Sequence, residues 1–102
     1  MKIIEKISEQ IEEELEDAEK YVLCALSYKE TDPALADTYY RLSNEEMEHM
    51  DMLHAQVTNQ ISEFKKTRGD PPEAMMMLYD ILHKKHIAKA VAIRQMQAMY
   101  KE

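Results

Sequence analysis

The stretch Thr31-Asp32-Pro33 divides the first two thirds of the sequence into two long segments. The side chain of Asp32 can accept a hydrogen bond from the first turn of a helix, and proline is favoured at the first helical residue. One helix therefore ends just before this stretch, and a second begins at Pro33. Because the connection is short, the two helices are expected to form an antiparallel hairpin.

A second break, Gly69-Asp70-Pro71-Pro72-Glu73, separates the second segment from a third. Gly69 suits a helix C-terminus, while Asp70 is the predicted N-cap of the next helix and Glu73 nearly completes a capping box. The predicted helices cover residues 2–29, 33–67 and 72–101, within one domain that spans residues 1–102. With 1 Gly and 3 Pro among 102 residues, the chain has few other places to turn, which predicts an all-α fold.

All three helices carry an apolar stripe at helical spacing. A hairpin of the first two helices leaves one side of each stripe uncovered, so the third helix or a second chain must close it. A symmetric dimer is the commonest solution. We therefore expect a homodimer in which two hairpins form a four-helix bundle, with a higher homo-oligomer built on it.

The charge balance narrows the range of partners. There are 20 acidic against 13 basic residues, giving a net charge of −7, which disfavours nucleic acid and anionic membranes and favours cations. No apolar run approaches the roughly 20 residues of a membrane span, and the first 20 residues are too charged for a signal peptide. Cys24 is the only cysteine, so no internal disulfide can form. We expect a cytoplasmic protein without a nucleic-acid or membrane partner.

The most informative acidic residue is Glu46, which is expected near the centre of the apolar stripe of the second helix. An ionised carboxylate there costs several kcal/mol unless a cation or a hydrogen-bond donor meets it. His49 follows three residues later on the same face, and the two side chains together can ligate divalent iron. The spacing alone is weak, because Asp51 and Asp80 also precede a histidine by three residues. Both aspartates lie well away from the stripes, so position singles out Glu46.

The first helix is expected to supply a partner for Glu46. In an antiparallel hairpin that turns near residues 30–31, residues whose numbers add up to about 60 lie level with each other. Position 14 is therefore level with Glu46, and Glu14 is the acid of the first helix nearest its apolar stripe. Glu16 and Glu19 are alternative ligands, because this segment is an acidic run that is otherwise a solvated face.

Residues 14–21, Glu-Leu-Glu-Asp-Ala-Glu-Lys-Tyr, resemble the first iron-binding helix of bacterioferritins, rubrerythrins and encapsulated ferritins. In those families a ligand glutamate is followed seven residues later by tyrosine. The stretch from Thr31 to His49 resembles their second helix, with its Glu-x-x-His at Glu46 and His49. The interval of 32 residues between Glu14 and Glu46 is also close to that of the family. The resemblance covers about residues 10–60.

Full-length ferritin-like chains contain this unit twice, whereas the sequence has it once. The resemblance to encapsulated ferritins, which dimerise, implies that two copies of Glu14, Glu46 and His49 form a di-iron site at a homodimer interface. It further implies ferroxidase activity, in which Fe²⁺ is oxidised by dioxygen or peroxide. Tyr21 would then lie near the site as a hydrogen-bond donor or electron source, unless it is only a core tyrosine. No Gly-rich C-terminal signal for encapsulin loading is present, so an encapsulin shell is not an expected partner.

Two other functions fit the same residues. One is a metal-free helical oligomerisation module in which Glu46 and His49 form a buried hydrogen-bonded pair. The other is a structural site for iron or another divalent metal, without turnover. On the third helix, His83 and His86 are either ligands of a second metal or, as is more usual, hydrogen-bonded core residues. His54 is expected on the surface or at the flank of its helix.

Overall fold

The computed structural model describes all 102 residues, which form three α-helices and no strands. Helix α1 covers Lys2–Tyr28, α2 covers Pro33–Arg68 and α3 covers Glu73–Lys101. The prediction of an all-α fold with three long helices is confirmed, and the helix ends differ from the predicted ones by no more than one residue. The bundle is elongated, measuring 56 × 18 × 18 Å. None of its helices combines the length and hydrophobicity that a membrane span needs.

Of the three helix ends predicted at Asp32, Gly69 and Asp70, the first two are confirmed. The Asp32 carboxylate accepts a hydrogen bond from the Leu35 amide at 3.2 Å, and Gly69 ends α2 with a φ of 81°. The prediction that Asp70 caps α3 is wrong, because the N-cap is Pro72 and no side chain caps this end. Residues that precede a proline disfavour the helical conformation, and both Asp70 and Pro71 do so. The helix therefore starts too late for the Asp70 carboxylate to reach it.

Helices α1 and α2 form the predicted antiparallel hairpin. The Ser43 hydroxyl of α2 donates a hydrogen bond to the Ala18 carbonyl of α1 at 2.7 Å, and the rings of Tyr21 and Tyr39 stack at 6.1 Å. In both pairs the residue numbers add up to about 60, as expected for a hairpin that turns near residues 30–31. The core lies mainly between these two helices and consists of Ile4, Ile7, Ile11, Leu15, Ala18, Val22, Met47, Val57 and Ile93.

Helix α3 packs along one side of this hairpin and contacts α1 more extensively than α2. It runs antiparallel to α2, since His83 stacks on His54 while Gln97 donates a hydrogen bond to Ser43 at 2.9 Å. Lys89 forms an ion pair with Glu19 of α1 at 2.9 Å. All of these contacts lie on the same side of the hairpin, so α3 leaves the opposite side uncovered.

We refer to the uncovered side of the hairpin as the open face. Helical geometry at 100° per residue places on it one edge of α1 and one edge of α2. Its members are half-buried or exposed, and they include the three side chains that the sequence singles out as metal ligands. The open face comprises Ile3, Glu14, Tyr21, Tyr28, Leu35, Leu42, Glu46, His49, Leu53 and Phe64.

Candidate metal centre

Glu14 of α1 meets Glu46 and His49 of α2 in the middle of the open face. The Nδ1 atom of His49 lies 3.3 Å from Oε2 of Glu14 and 3.7 Å from Oε2 of Glu46. One potential ligand atom of each residue lies within 4.8 Å of those of the other two. No other group of three or more His, Cys, Asp or Glu side chains in the chain converges in this way. The three side chains that the sequence predicts as ligands are therefore adjacent.

The hairpin explains why Glu14, rather than its acidic neighbours, reaches the pair on α2. Glu46 and His49 are three residues apart and so lie on one face of α2, and the antiparallel register brings residue 14 level with them. Glu19 instead turns toward α3, where it pairs with Lys89. Glu16 is exposed on the α3 side, in a depression that Lys89 also lines. Neither alternative ligand belongs to the cluster.

The cluster is more accessible than the sequence indicates. The side chains of Glu46, Glu14 and His49 are 18%, 26% and 54% exposed, respectively. Glu46 lies beside, not on, the buried line of α2, because α3 packs against this helix as well and shifts its core-facing side away from Glu46. Water therefore reaches the carboxylates, and so would a metal ion or a second chain. The buried line of α2 runs through Ala36, Ser43, Met47 and Val57.

The donor set suits a first-row divalent metal. Two carboxylates and one imidazole are typical ligands of Fe²⁺, Mn²⁺ and Zn²⁺, and a two-carboxylate site neutralises one divalent charge. The geometry also allows a metal-free state, in which a proton on Nδ1 of His49 is donated to Glu14. The same nitrogen must lose that proton to ligate a metal through its lone pair. Metal binding through Nδ1 and this hydrogen bond therefore exclude each other.

Tyr21 lies on the open face but belongs to a different group of side chains. It stacks on Tyr39, whose ring is in turn 6.1 Å from that of Tyr28. Tyr21 follows Glu14 by seven residues, which corresponds to roughly 10 Å along the helix at 1.5 Å per residue. Its hydroxyl makes no hydrogen bond to the cluster, and its role near a metal stays a prediction.

Of the two positions expected for His54, the surface and the flank of its helix, the structure shows the flank. Its ring is half-buried and stacks on His83, with ring centroids 4.7 Å apart. Together with His86 and Asp51 these rings line a cavity between α2 and α3. The sequence signal for this cavity was the acid-to-histidine spacing of Asp51 and His54. It was discounted because both residues face solvent when α2 is considered without α3.

Comparison with known proteins adds no relative: no family model, no curated protein and no solved structure matches the chain. The resemblance to ferritin-like proteins therefore rests on the motif in residues 10–60 alone.

Proposed function

We propose that two copies of this chain pair through their open faces, and that Glu14, Glu46 and His49 of both copies bind two ferrous ions for oxidation. The observation that carries the proposal is the convergence of these three side chains on the side of the hairpin that α3 leaves uncovered. Two hairpins that face each other there would form a four-helix bundle, with both α3 helices outside. Ferrous iron is the substrate in this proposal.

The composition of the open face supports pairing. Ile3, Tyr28 and Leu35 are 44%, 40% and 36% exposed, and they lie toward the two ends of the face. Burying such side chains contributes roughly 25 cal/mol per Å² of apolar surface. Charge supports pairing as well, because two copies bring four carboxylates, which balance two Fe²⁺ ions. Without a cation, the same approach would bring four carboxylates together and would be opposed by their repulsion.

The proposed reaction balances with two irons in each site. Each Fe²⁺ loses one electron, and dioxygen takes up two electrons and two protons to become hydrogen peroxide. With peroxide as the oxidant, the same two electrons and two protons yield two water molecules. The carboxylates of Glu14 and Glu46 hold the ions and can change between binding one ion and bridging two. His49 contributes a neutral nitrogen ligand, and its exposure leaves a route for iron to enter.

One observation favours a second candidate, the metal-free oligomerisation module. His49 already lies within 3.7 Å of both carboxylates, so a protonated imidazole would offset part of their charge without a metal. In that case the dimer would form without metal and would not need Glu46 as a ligand. A structural divalent-metal site without turnover is the third possibility.

Addition of Fe²⁺ to the metal-free protein, first without and then with air, separates these functions. We expect Fe²⁺ to bind and then to oxidise rapidly, as measured by the near-ultraviolet absorbance of ferric products. Glu14→Gln and Glu46→Gln should each abolish rapid oxidation, because each removes a ligand from both copies. The neighbouring exposed residues provide matched controls: Glu13→Gln and Glu45→Gln should oxidise iron at the unmodified rate.

Three other outcomes of this assay would contradict the proposal. Tight binding of Fe²⁺ without oxidation would indicate a structural site. A protein that binds no metal, and whose dimer is unchanged or stabilised by Glu46→Leu, would indicate the metal-free module. Oxidation that persists in Glu14→Gln and Glu46→Gln would refute the proposed ligands.

A further inference from the structure

On the opposite side of the hairpin from Glu14, Glu46 and His49, helices α2 and α3 border an open cavity of about 300 Å³. Asp51 and His54 are three residues apart on α2, and both line it. His83 and His86, three residues apart on α3, line it from the other helix. Residues at this spacing lie on one face of a helix. One carboxylate and three imidazoles therefore surround a single space.

Two of the three imidazoles in this cavity, those of His83 and His86, have lowered pKa values. The rings of His54 and His83 stack with an interplanar angle of 15°, an arrangement in which two imidazolium charges would repel each other. Burial lowers the pKa of His83, and the adjacent His54 lowers it further, against an opposing effect of Asp80. Burial also lowers the pKa of His86, although Glu12 opposes this shift. A neutral imidazole is the form that ligates metals.

A further observation points to a missing partner. The Nε2 atom of His54 is buried and has no hydrogen-bond partner. Buried polar atoms in folded proteins are normally paired, so this unpaired ring nitrogen requires an explanation. Rotation of the His54 ring would bring Nε2 out of its buried position and into the cavity, where it can coordinate a metal ion.

We propose that the cavity binds a divalent transition-metal ion of the Zn²⁺, Co²⁺ and Ni²⁺ class, with His54, His83 and His86 as ligands and Asp51 as the fourth. A donor set rich in imidazole selects these metals over Mg²⁺ and Ca²⁺, which prefer oxygen ligands. Binding requires the stacked rings of His54 and His83 to rotate so that their nitrogens converge. The ion would link α2 to α3, two helices that otherwise contact each other sparsely.

Co²⁺ is the probe for this site, because tetrahedral Co²⁺ absorbs strongly in visible light. The first cluster is removed by combining Glu14→Gln, Glu46→Gln and His49→Gln, and circular dichroism verifies that this triple variant folds. Since the chain has 4 histidines, any imidazole that binds metal in this background must come from the cavity. We expect one Co²⁺ per chain, displaced by Zn²⁺. Saturation with Zn²⁺ should raise Tm by on the order of 10 °C when the metal is about 100-fold above its Kd.

Adding His54→Gln or His83→Gln to this background should abolish the Co²⁺ spectrum and the Tm shift. Lys84→Gln, an exposed neighbour of His83, is the matched control and should change neither. Absence of Co²⁺ binding, or binding that survives both histidine substitutions, would overturn the proposal. If the triple variant does not fold, the comparison is made in the unmodified chain, where His54→Gln must remove one Zn²⁺ per chain. An unchanged stoichiometry there would also overturn it.

This site is independent of the proposed iron oxidation. A chain that binds Co²⁺ in the cavity but does not oxidise Fe²⁺ would retain the inference and refute the proposed function. The reverse result would refute only the inference.

Discussion

The docking of α3 on one side of the hairpin rests on a buried hydrogen-bond chain, and Ser43→Ala tests it. The Ser43 hydroxyl is fully buried, donates to the Ala18 carbonyl at 2.7 Å and accepts from Nε2 of Gln97 at 2.9 Å. Gln97 is itself only 4% exposed. One hydroxyl thus connects all three helices. Alanine fits the same space but leaves the Gln97 amide without its acceptor.

The expected loss in the free energy of unfolding is about 2 kcal/mol, because a buried donor left unpaired costs about 1–3 kcal/mol. For a chain of this size, Tm should fall by about 10 °C, at about 4–8 °C per kcal/mol. Urea denaturation followed by circular dichroism measures the free energy directly. Gln97→Met removes the amide at nearly constant volume, so in that background Ser43→Ala should cost only about 1 kcal/mol or less.

The comparison between the two backgrounds decides the result. An equal loss in both would mean that Ser43 and Gln97 do not interact, and so that α3 does not dock as described. A loss below about 0.5 kcal/mol for Ser43→Ala in the otherwise unmodified chain would lead to the same conclusion, because that is the size of an ordinary surface substitution. The open face would then lose its structural basis, since it is defined by the side that α3 leaves uncovered.

Two further predictions concern assembly and pH. Leu53→Glu places a charge on the open face and should convert the proposed dimer to monomers in analytical ultracentrifugation. Met52→Glu, at a position 67% exposed and away from that face, should leave the dimer intact. Dimers that persist in Leu53→Glu would place the interface elsewhere. Because burial lowers the pKa of His83 and His86 below the ordinary 6.5, the unfolded chain binds protons first as the pH falls. The free energy of unfolding should therefore be fully retained above about pH 6.5 and decline below it, and denaturation between pH 7 and about pH 5 should show a smaller decline in His83→Gln. An identical decline in that variant would contradict the pKa assignment.

Local chemistry made most of the fold predictable. Pro33 and Gly69 mark helix ends through backbone conformation alone, so they act independently of tertiary contacts. The register between Glu14 and Glu46 was also accessible, because a short turn between antiparallel helices determines which positions lie level. The cap at Asp70 was mispredicted because two successive prolines delay the start of α3, a local effect that competes with capping.

The position of α3 was not predictable in the same way. Met77, Ile81 and Val91 are exposed on its outer side, while Ile93 is fully buried on its inner side. The apolar stripe of α3 indicates which side of this helix packs inward, but it does not indicate which side of the hairpin the helix covers. The contribution of His54 to the cavity was missed for this reason, since His54 becomes half-buried only when α3 lies against it.

The two clusters differ in a way that follows from their positions. Glu14, Glu46 and His49 lie on a face that the rest of the chain does not cover, so a second copy that packs there would both complete and enclose the proposed iron site. His54 and His83 line a cavity between α2 and α3 of one chain, so a metal ion bound there needs no second copy. If two hairpins meet at their open faces, the α3 helices and their cavities remain on the outside of the bundle. Under the two proposals, dimerisation should therefore alter iron binding at Glu46 and leave Co²⁺ binding at His54 unchanged. The Leu53→Glu variant, which is expected to be monomeric, provides that comparison.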